Sequence, residues 1–150
     1  MELQGKTAFV TGPAKGMGRA ISMALASEGA NLVLAGRDLT PIEAVAADAR
    51  STGIQTIVSR CDVTNPDDVA ASVAEGIHGF GHIDILVNVA GGTGPLGKSG
   101  METTPKEFDQ IIELNLKGCF LTMRAVLPGM VAQGGGKIVN VGGTFGMRGR

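Results

Sequence analysis

Cysteine, aromatic residues and long apolar runs are all scarce in this chain, and each scarcity excludes something. Only Cys61 and Cys119 occur in 150 residues, with no CxxC pairing, so no disulfide framework is indicated and both are expected to be free, buried or half-buried thiols. His78 and His82 are the only histidines. They could serve a metal from one helix face, but Gly79 and Gly81 are expected to spoil that helix, and no metal is expected. The net charge is -1, with Lys and Arg scattered, which gives no footprint for nucleic acid or an anionic membrane. No apolar run reaches membrane-spanning length, and MELQGKTAFV lacks a basic region followed by a long apolar stretch, so a soluble cytoplasmic protein is expected. Tyr and Trp are absent altogether, which removes the phenol from the possible proton donors.

What remains is a chain with 43% hydrophobic residues and a mean hydropathy of +0.21, enough for one domain with a sizeable core. Nearly continuous apolar runs recur at 6–11, 31–35, 56–59, 83–89 and 137–141. Such runs predict strands buried on both faces, as in parallel sheets. Between them, Thr40-Pro41-Ile42-Glu43 and Thr104-Pro105-Lys106-Glu107 each combine an N-cap Thr, a Pro at the first helical position and a Glu at the third, and Asn65-Pro66 is a similar start. Gly29 and Gly53 fit helix ends. The alternation predicts an α/β fold, a Rossmann-like doubly wound parallel sheet.

One helix is predicted from about 105 to 132. Phe108, Ile111, Ile112, Cys119 and Met123 mark a core-facing stripe, with Leu116, Phe120 and Leu127 beside it. That is too wide for one sheet contact, so a second surface, either further chain or a subunit partner, is expected to cover part of it. Asn115 falls on the first stripe, where an amide needs hydrogen-bond partners; a structural bond to backbone and a site role are both open.

The first strand runs into Gly12, Gly16 and Gly18 and then a helical pattern. Gly12 suits the tight exit from the strand, Gly16 lets backbone approach phosphate oxygens, and Gly18 lets the helix pack closely. The helix start offers free N–H groups and a positive dipole end to an anion such as a dinucleotide pyrophosphate. The spacing is Gly-xxx-Gly-x-Gly, and an ordinary flexible turn is the alternative. A second loop, Gly92 to Ser99, literally matches GxxxxGK[ST]. A nucleoside-triphosphate site needs a helix starting at Lys98-Ser99, however, and the next start is near Thr104-Pro105.

Taken together, Thr11-Gly12-Pro13-Ala14-Lys15-Gly16-Met17-Gly18, Cys61-Asp62-Val63, Asn88-Val89-Ala90-Gly91 and Asn115 resemble the short-chain dehydrogenase/reductase family over the whole chain. The resemblance implies an NAD(P)-dependent oxidoreductase moving a hydride between carbonyl and alcohol. It implies cofactor contacts at Gly12, Lys15, Gly16, Met17 and Gly18. Asp62 would bond the adenine amino group, Val63 would approach the adenine through its backbone, and Asn88, Ala90 and Gly91 would line the ribose. A turn or helix-entry carboxylate is the alternative for Asp62. At the end of the second strand, an NAD site would carry an acid for the ribose 2′-hydroxyl. Gly36 and Arg37 stand there instead. A guanidinium can clamp a 2′-phosphate, with Lys15 as a second cation, so NADP(H) is expected over NAD(H). A solvated helix-entry charge is the alternative for Arg37.

Two departures bear on chemistry. The family's catalytic group is a Ser after the fifth strand, a Tyr and Lys in a later Tyr-xxx-Lys motif, and the helix Asn, here Asn115. Gly143 stands where the Ser is expected, with Thr144 beside it as a possible substitute, and there is no Tyr. The chain is therefore expected to be the amino-terminal portion of such an enzyme, residues 1–150 forming an incomplete NAD(P)-binding domain that is inactive alone. A catalytically inactive nucleotide-binding module is the other expectation. A longer form would take a small carbonyl or alcohol substrate and form a homo-oligomer through the 105–132 helix.

Overall fold

The computed structural model describes residues 1–95 and 97–143. Five strands alternate with helices: β1 Thr7–Thr11, α1 Gly16–Ser27, β2 Asn31–Gly36, α2 Leu39–Arg50, β3 Thr56–Arg60, α3 Pro66–Phe80, β4 Ile85–Asn88, α4 Pro105–Ile112, a π-helical segment Glu113–Lys117, α5 Gly118–Ala132 and β5 Lys137–Asn140. The strands form one parallel sheet in the order β3-β2-β1-β4-β5. This is the Rossmann-like doubly wound architecture expected from the alternation.

Period-two alternation sorts each central strand between two cores. From β1, Phe9 joins Val33, Val69, Val73, Leu86, Leu121 and Val126 on the face covered by α3 and α5. Its neighbours Ala8 and Val10 join Leu32, Leu34, Ile42, Val45 and Ala46 on the α1 and α2 face. Burial on both faces holds for β1, β2 and most of β4. It does not hold for β3 or β5, which are edges of this sheet; β5 is largely exposed and its Val139 is 49% exposed. An edge strand has a hydrogen-bonded neighbour on one side only, so its apolar run reports composition without full enclosure.

The helix starts are mostly as predicted. Thr104 and Glu107 form a reciprocal capping box, and Asn65 accepts from the N–H groups of Asp67 and Asp68. The second helix begins two residues earlier than the Thr40-Pro41 signature suggests. Asp38 is its cap, accepting from the Thr40 N–H at 3.2 Å, and a carboxylate there outcompetes the Thr hydroxyl downstream. Gly79 does not break α3, which continues to Phe80; Gly81, left-handed at φ +83°, ends it and puts His82 outside the helix.

The predicted 105–132 helix is interrupted. At Glu113–Lys117 the backbone bonds i to i+5, the Gly118 N–H donating to the Glu113 carbonyl. One extra residue in a turn rotates everything beyond it by about 100°. The core positions of α5 are consequently Leu121, Thr122, Val126 and Met130. The anticipated core stripe is displaced: α4 buries no residue, and Phe108 and Ile112 are exposed, while Ile111, Cys119 and Met123 are half-buried. Leu116, Phe120 and Leu127 continue the exposed apolar face. Among the described residues, no helix is long and apolar enough to cross a membrane.

Candidate nucleotide cleft at the sheet switch point

Consecutive strands β1 and β2 lie side by side, but the chain then crosses to the other side of β1 for β4. Where strand order reverses, the loops leaving the carboxyl ends diverge and open a crevice. Here Gly12, Ala35, Gly36, Arg37, Cys61, Asp62, Val63, Ala90, Gly91 and Leu114 line a cleft of about 160 Å³. A larger cleft of about 770 Å³ lies at the opposite, amino edge of the sheet, among Leu3, Lys6, His82, Asp84 and Gly134–Lys137.

The three turn glycines do different things. Gly12 has φ +65°, and a Cβ there would fall 2.9 Å from both the N and Cα atoms of Ala90. Only glycine lets β1 leave the sheet this close to the loop after β4. A Cβ on Gly18 would overlap the Gly12 carbonyl oxygen, so α1 packs directly on the turn. Gly16 has φ +54° but faces open space, leaving its backbone accessible. Lys15, extended at φ -156°, precedes α1 without any side-chain cap, and the first turn carries no acidic residue. The positive end of α1 is thus uncapped by protein, which suits it to an anionic group. Met17, in that first turn, is 62% exposed.

Arg37 and Lys15 are exposed, and neither enters an ion pair among the described residues. The Asp62 carboxylate accepts from the Thr64 N–H at 3.0 Å and its hydroxyl at 2.8 Å. Those bonds, aided by Arg37 and Arg60 nearby, hold its carboxyl below the usual range. The turn alternative for Asp62 is therefore realised structurally, while Asp62 still lines the cleft. Val63, 6% exposed, supports the cleft from below, because Gly118 at the head of α5 comes close enough that a Cβ there would sit 2.9 Å from its Cγ2. Burial, with Asp68 and Asp62 close by, pushes the Cys61 thiol up to about 11, so it lines the cleft as a neutral group.

Asn88 is placed differently from Ala90 and Gly91. Only 2% exposed, it lies beneath the cleft, accepting from the Thr122 hydroxyl at 2.7 Å and donating to Asn140 at 2.9 Å. It ties β4 to α5 and β5. Thr11 completes this floor, its hydroxyl oxygen accepting from the N–H groups of Val89 and Ala90, both at 3.1 Å. Thr11, Thr122 and Asn140 were not singled out for these roles by the sequence; their only signal was polar residues at strand ends and on a helix otherwise apolar.

Asn115 sits in the π segment, exposed rather than core-facing. Its side chain accepts from the Gly92 N–H and donates to the Gly92 and Ile111 carbonyls, each at 3.0 Å. Both ends of the amide are engaged in clamping the loop after β4 onto the helix. Gly143 is exposed with open space where a side chain would project; Thr144 lies outside the described residues. In the Gly92–Ser99 loop, Lys98 pairs with Glu107 and Ser99 with Glu102, while the helix begins only at Pro105. Among the described residues, no helix begins at Lys98-Ser99; Lys98 instead pairs with the first-turn carboxylate of α4. His82 bonds Asp84 at 3.0 Å, away from this cleft.

An open parallel sheet with helices on both faces and a glycine turn at its switch point defines a doubly wound α/β protein of the Rossmann type. A model of the short chain dehydrogenase family matches residues 6–150, and the chain belongs to that family. It is 37% identical over 142 residues to an uncharacterized oxidoreductase of Staphylococcus haemolyticus, a match covering 93% of this chain and 59% of that one. A metagenomic short-chain oxidoreductase in complex with NADP superposes with a TM-score of 0.87 at 36% identity, covering 93% of this chain and 63% of that one. An NAD+-bound xylitol dehydrogenase superposes with a TM-score of 0.92 at 30% identity, covering all of this chain and 57% of that one. The chain thus spans about 60% of the length of these relatives.

Proposed function

We propose that residues 1–150 form an NADP(H)-binding domain of an oxidoreductase that moves a hydride between a small carbonyl or alcohol substrate and the nicotinamide. The observation that carries this is the start of α1 without a side-chain cap behind Gly12 and the open Gly16, beside the exposed Arg37 and Lys15, which enter no ion pair among the described residues. The residues fit the group: the pyrophosphate would meet the first-turn N–H groups, and the 2′-phosphate would meet Arg37 with Lys15. Asp62 and the Val63 backbone would receive the adenine, and Ala90 and Gly91 would flank the nearer ribose, with Asn88 holding that loop in place from below. The cofactor supplies the hydride when bound. Asn115 would hold the Gly92 loop, which follows the cleft-lining Ala90 and Gly91, against the helix.

The family's NADP-bound and NAD+-bound members leave both cofactors open in principle. The preference for NADP(H) rests on Gly36 and Arg37: a carboxylate at the strand end would repel the 2′-phosphate, whereas a free guanidinium attracts it. Because the 150 residues contain no Tyr and carry Gly143 at the Ser position, they lack the proton donor and hydroxyl of the family's chemistry, and we infer binding without turnover. In a longer form, a second copy would cover the apolar face of Phe108, Leu116 and Phe120. A soluble, cytoplasmic setting suits this reading.

The test is titration of the chain with NADPH, NADH and Mg-ATP, repeated for Arg37→Ala, together with a turnover assay on a carbonyl panel. NADPH should bind more tightly than NADH. Arg37→Ala should weaken NADPH roughly 10- to 100-fold, the scale of a charge-assisted bond, and change NADH little. Equal NADH and NADPH affinity would overturn the 2′-phosphate assignment, and tight Mg-ATP binding lost in Lys98→Ala would favour the other loop. Turnover by the chain itself would overturn the inference of inactivity.

A further inference from the structure

We propose that Ile42, a buried residue of α2 outside the cleft lining, helps set the cofactor choice by excluding an acidic side chain from position 36. This rests on the dinucleotide reading above. Selecting the ribose 2′-hydroxyl requires a carboxylate at the end of the second strand, and any such side chain begins with a Cβ on residue 36. That Cβ would fall 2.7 Å from Ile42 Cδ1, inside ordinary van der Waals contact, and 3.9 Å from Pro13 Cδ.

Backbone conformation does not explain the glycine. Gly36 is not among the residues with positive φ, in contrast to Gly12 and Gly16, so space is what restricts this position. Ile42 is poorly placed to yield. It is 1% exposed and belongs to the core cluster that includes Leu34, Val45 and Ala46, and its helix is anchored by the Asp38 cap. Moving Cδ1 means repacking a dense interior, where small volume changes are felt. The next Ile42 atom, Cγ1, would stand 4.0 Å from the added Cβ, an ordinary contact. The added Cβ therefore meets one methyl group, the far end of the Ile42 side chain, and no backbone atom, so the resistance of position 36 rests on how tightly the surrounding core holds that methyl. Ile42→Val removes that methyl and leaves the rest of the side chain.

The experiment is a double-mutant cycle of Gly36→Asp and Ile42→Val on the 150-residue chain, read by thermal unfolding without cofactor and by NADH and NADPH titration. Gly36→Ala, which adds only the Cβ, runs in parallel in case the Asp variant fails to fold. Either residue 36 substitution alone should lower Tm, and Ile42→Val should restore part of that loss. Gly36→Asp alone should gain little NADH affinity, whereas the double variant should gain about tenfold, the scale of coupling expected for residues in contact. Additive Tm shifts, or a full switch to NADH by Gly36→Asp alone without loss of Tm, overturn the proposal. Those results with NADPH binding to the unsubstituted chain intact leave the dinucleotide reading standing, whereas binding of neither dinucleotide to the unsubstituted chain or any variant overturns that reading and the cofactor role of Ile42 with it.

Discussion

Gly12→Ala and Gly16→Ala place the same methyl group on two left-handed residues of one turn, yet their effects should separate. Each forces an L-residue into the left-handed region at a cost of about 1–2 kcal/mol. At Gly16 nothing lies within 4 Å of the new Cβ, so little more is lost in the free protein. At Gly12 the Cβ meets backbone atoms of Ala90 at 2.9 Å. That backbone is held by the Thr11 hydroxyl, which accepts from the N–H groups of Val89 and Ala90. Pushing it away endangers two bonds worth about 0.5–1.5 kcal/mol each, bringing the total for Gly12→Ala to roughly 2–5 kcal/mol. The assay is urea denaturation followed by far-ultraviolet circular dichroism, since the chain has no Trp or Tyr to report by fluorescence. NADPH binding should follow the other order: Gly16→Ala, the less destabilised of the two, should lose tenfold or more, about 1.4 kcal/mol, because its methyl enters the open space proposed for the pyrophosphate. A Gly16→Ala variant as destabilised as Gly12→Ala, or one binding NADPH normally, would refute this division of labour.

Thr122→Val keeps the shape of a fully buried side chain but removes the hydroxyl that donates to Asn88, leaving a buried amide oxygen without that bond. It should destabilise by about 1–3 kcal/mol in the same denaturation assay, and an unchanged midpoint would show the Asn88 network to be dispensable. Lys98, then the Thr104 N–H and hydroxyl, draw the Glu107 carboxyl from 4.5 down to about 2. A carboxylate depressed in the folded state stabilises fully above its unfolded value and loses that contribution as pH falls toward 2. The stability difference between the wild-type chain and Glu107→Gln should therefore be greatest above about pH 4.5 and shrink toward pH 2. A difference independent of pH across that window would contradict the charge assignment.

The fold was largely legible because its signals are local. Continuous apolar runs marked β1, β2 and β4, and the Asn65-Pro66 and Thr104-Pro105 starts carry their caps within three residues. What escaped depended on partners distant in sequence. Whether an apolar run is central or an edge is decided by sheet order, so β3 and β5 looked as buried as β1. The π segment is invisible to a 3.6-residue period, since it accompanies the Asn115 clamp on Gly92, 23 residues earlier. It also explains why Leu121, Val126 and Met130 face the core in place of the anticipated stripe. In the candidate site, the glycines and Arg37 could be read from spacing and charge. Asn88 could be picked out, but not its inward orientation, which is set by Thr122 and Asn140.

The most direct measurement is a map of backbone amide chemical shifts as NADPH is added to isotopically labelled chain. The cleft at the glycine turn competes with larger ones, among them the cleft at the opposite end of the sheet. Shifts concentrated at residues 11–19, 36–37, 61–63 and 90–92 are the predicted result. Shifts centred on Leu3, Lys6, His82 and Gly134–Lys137 with the glycine turn silent, or no saturable shifts at all, would contradict it.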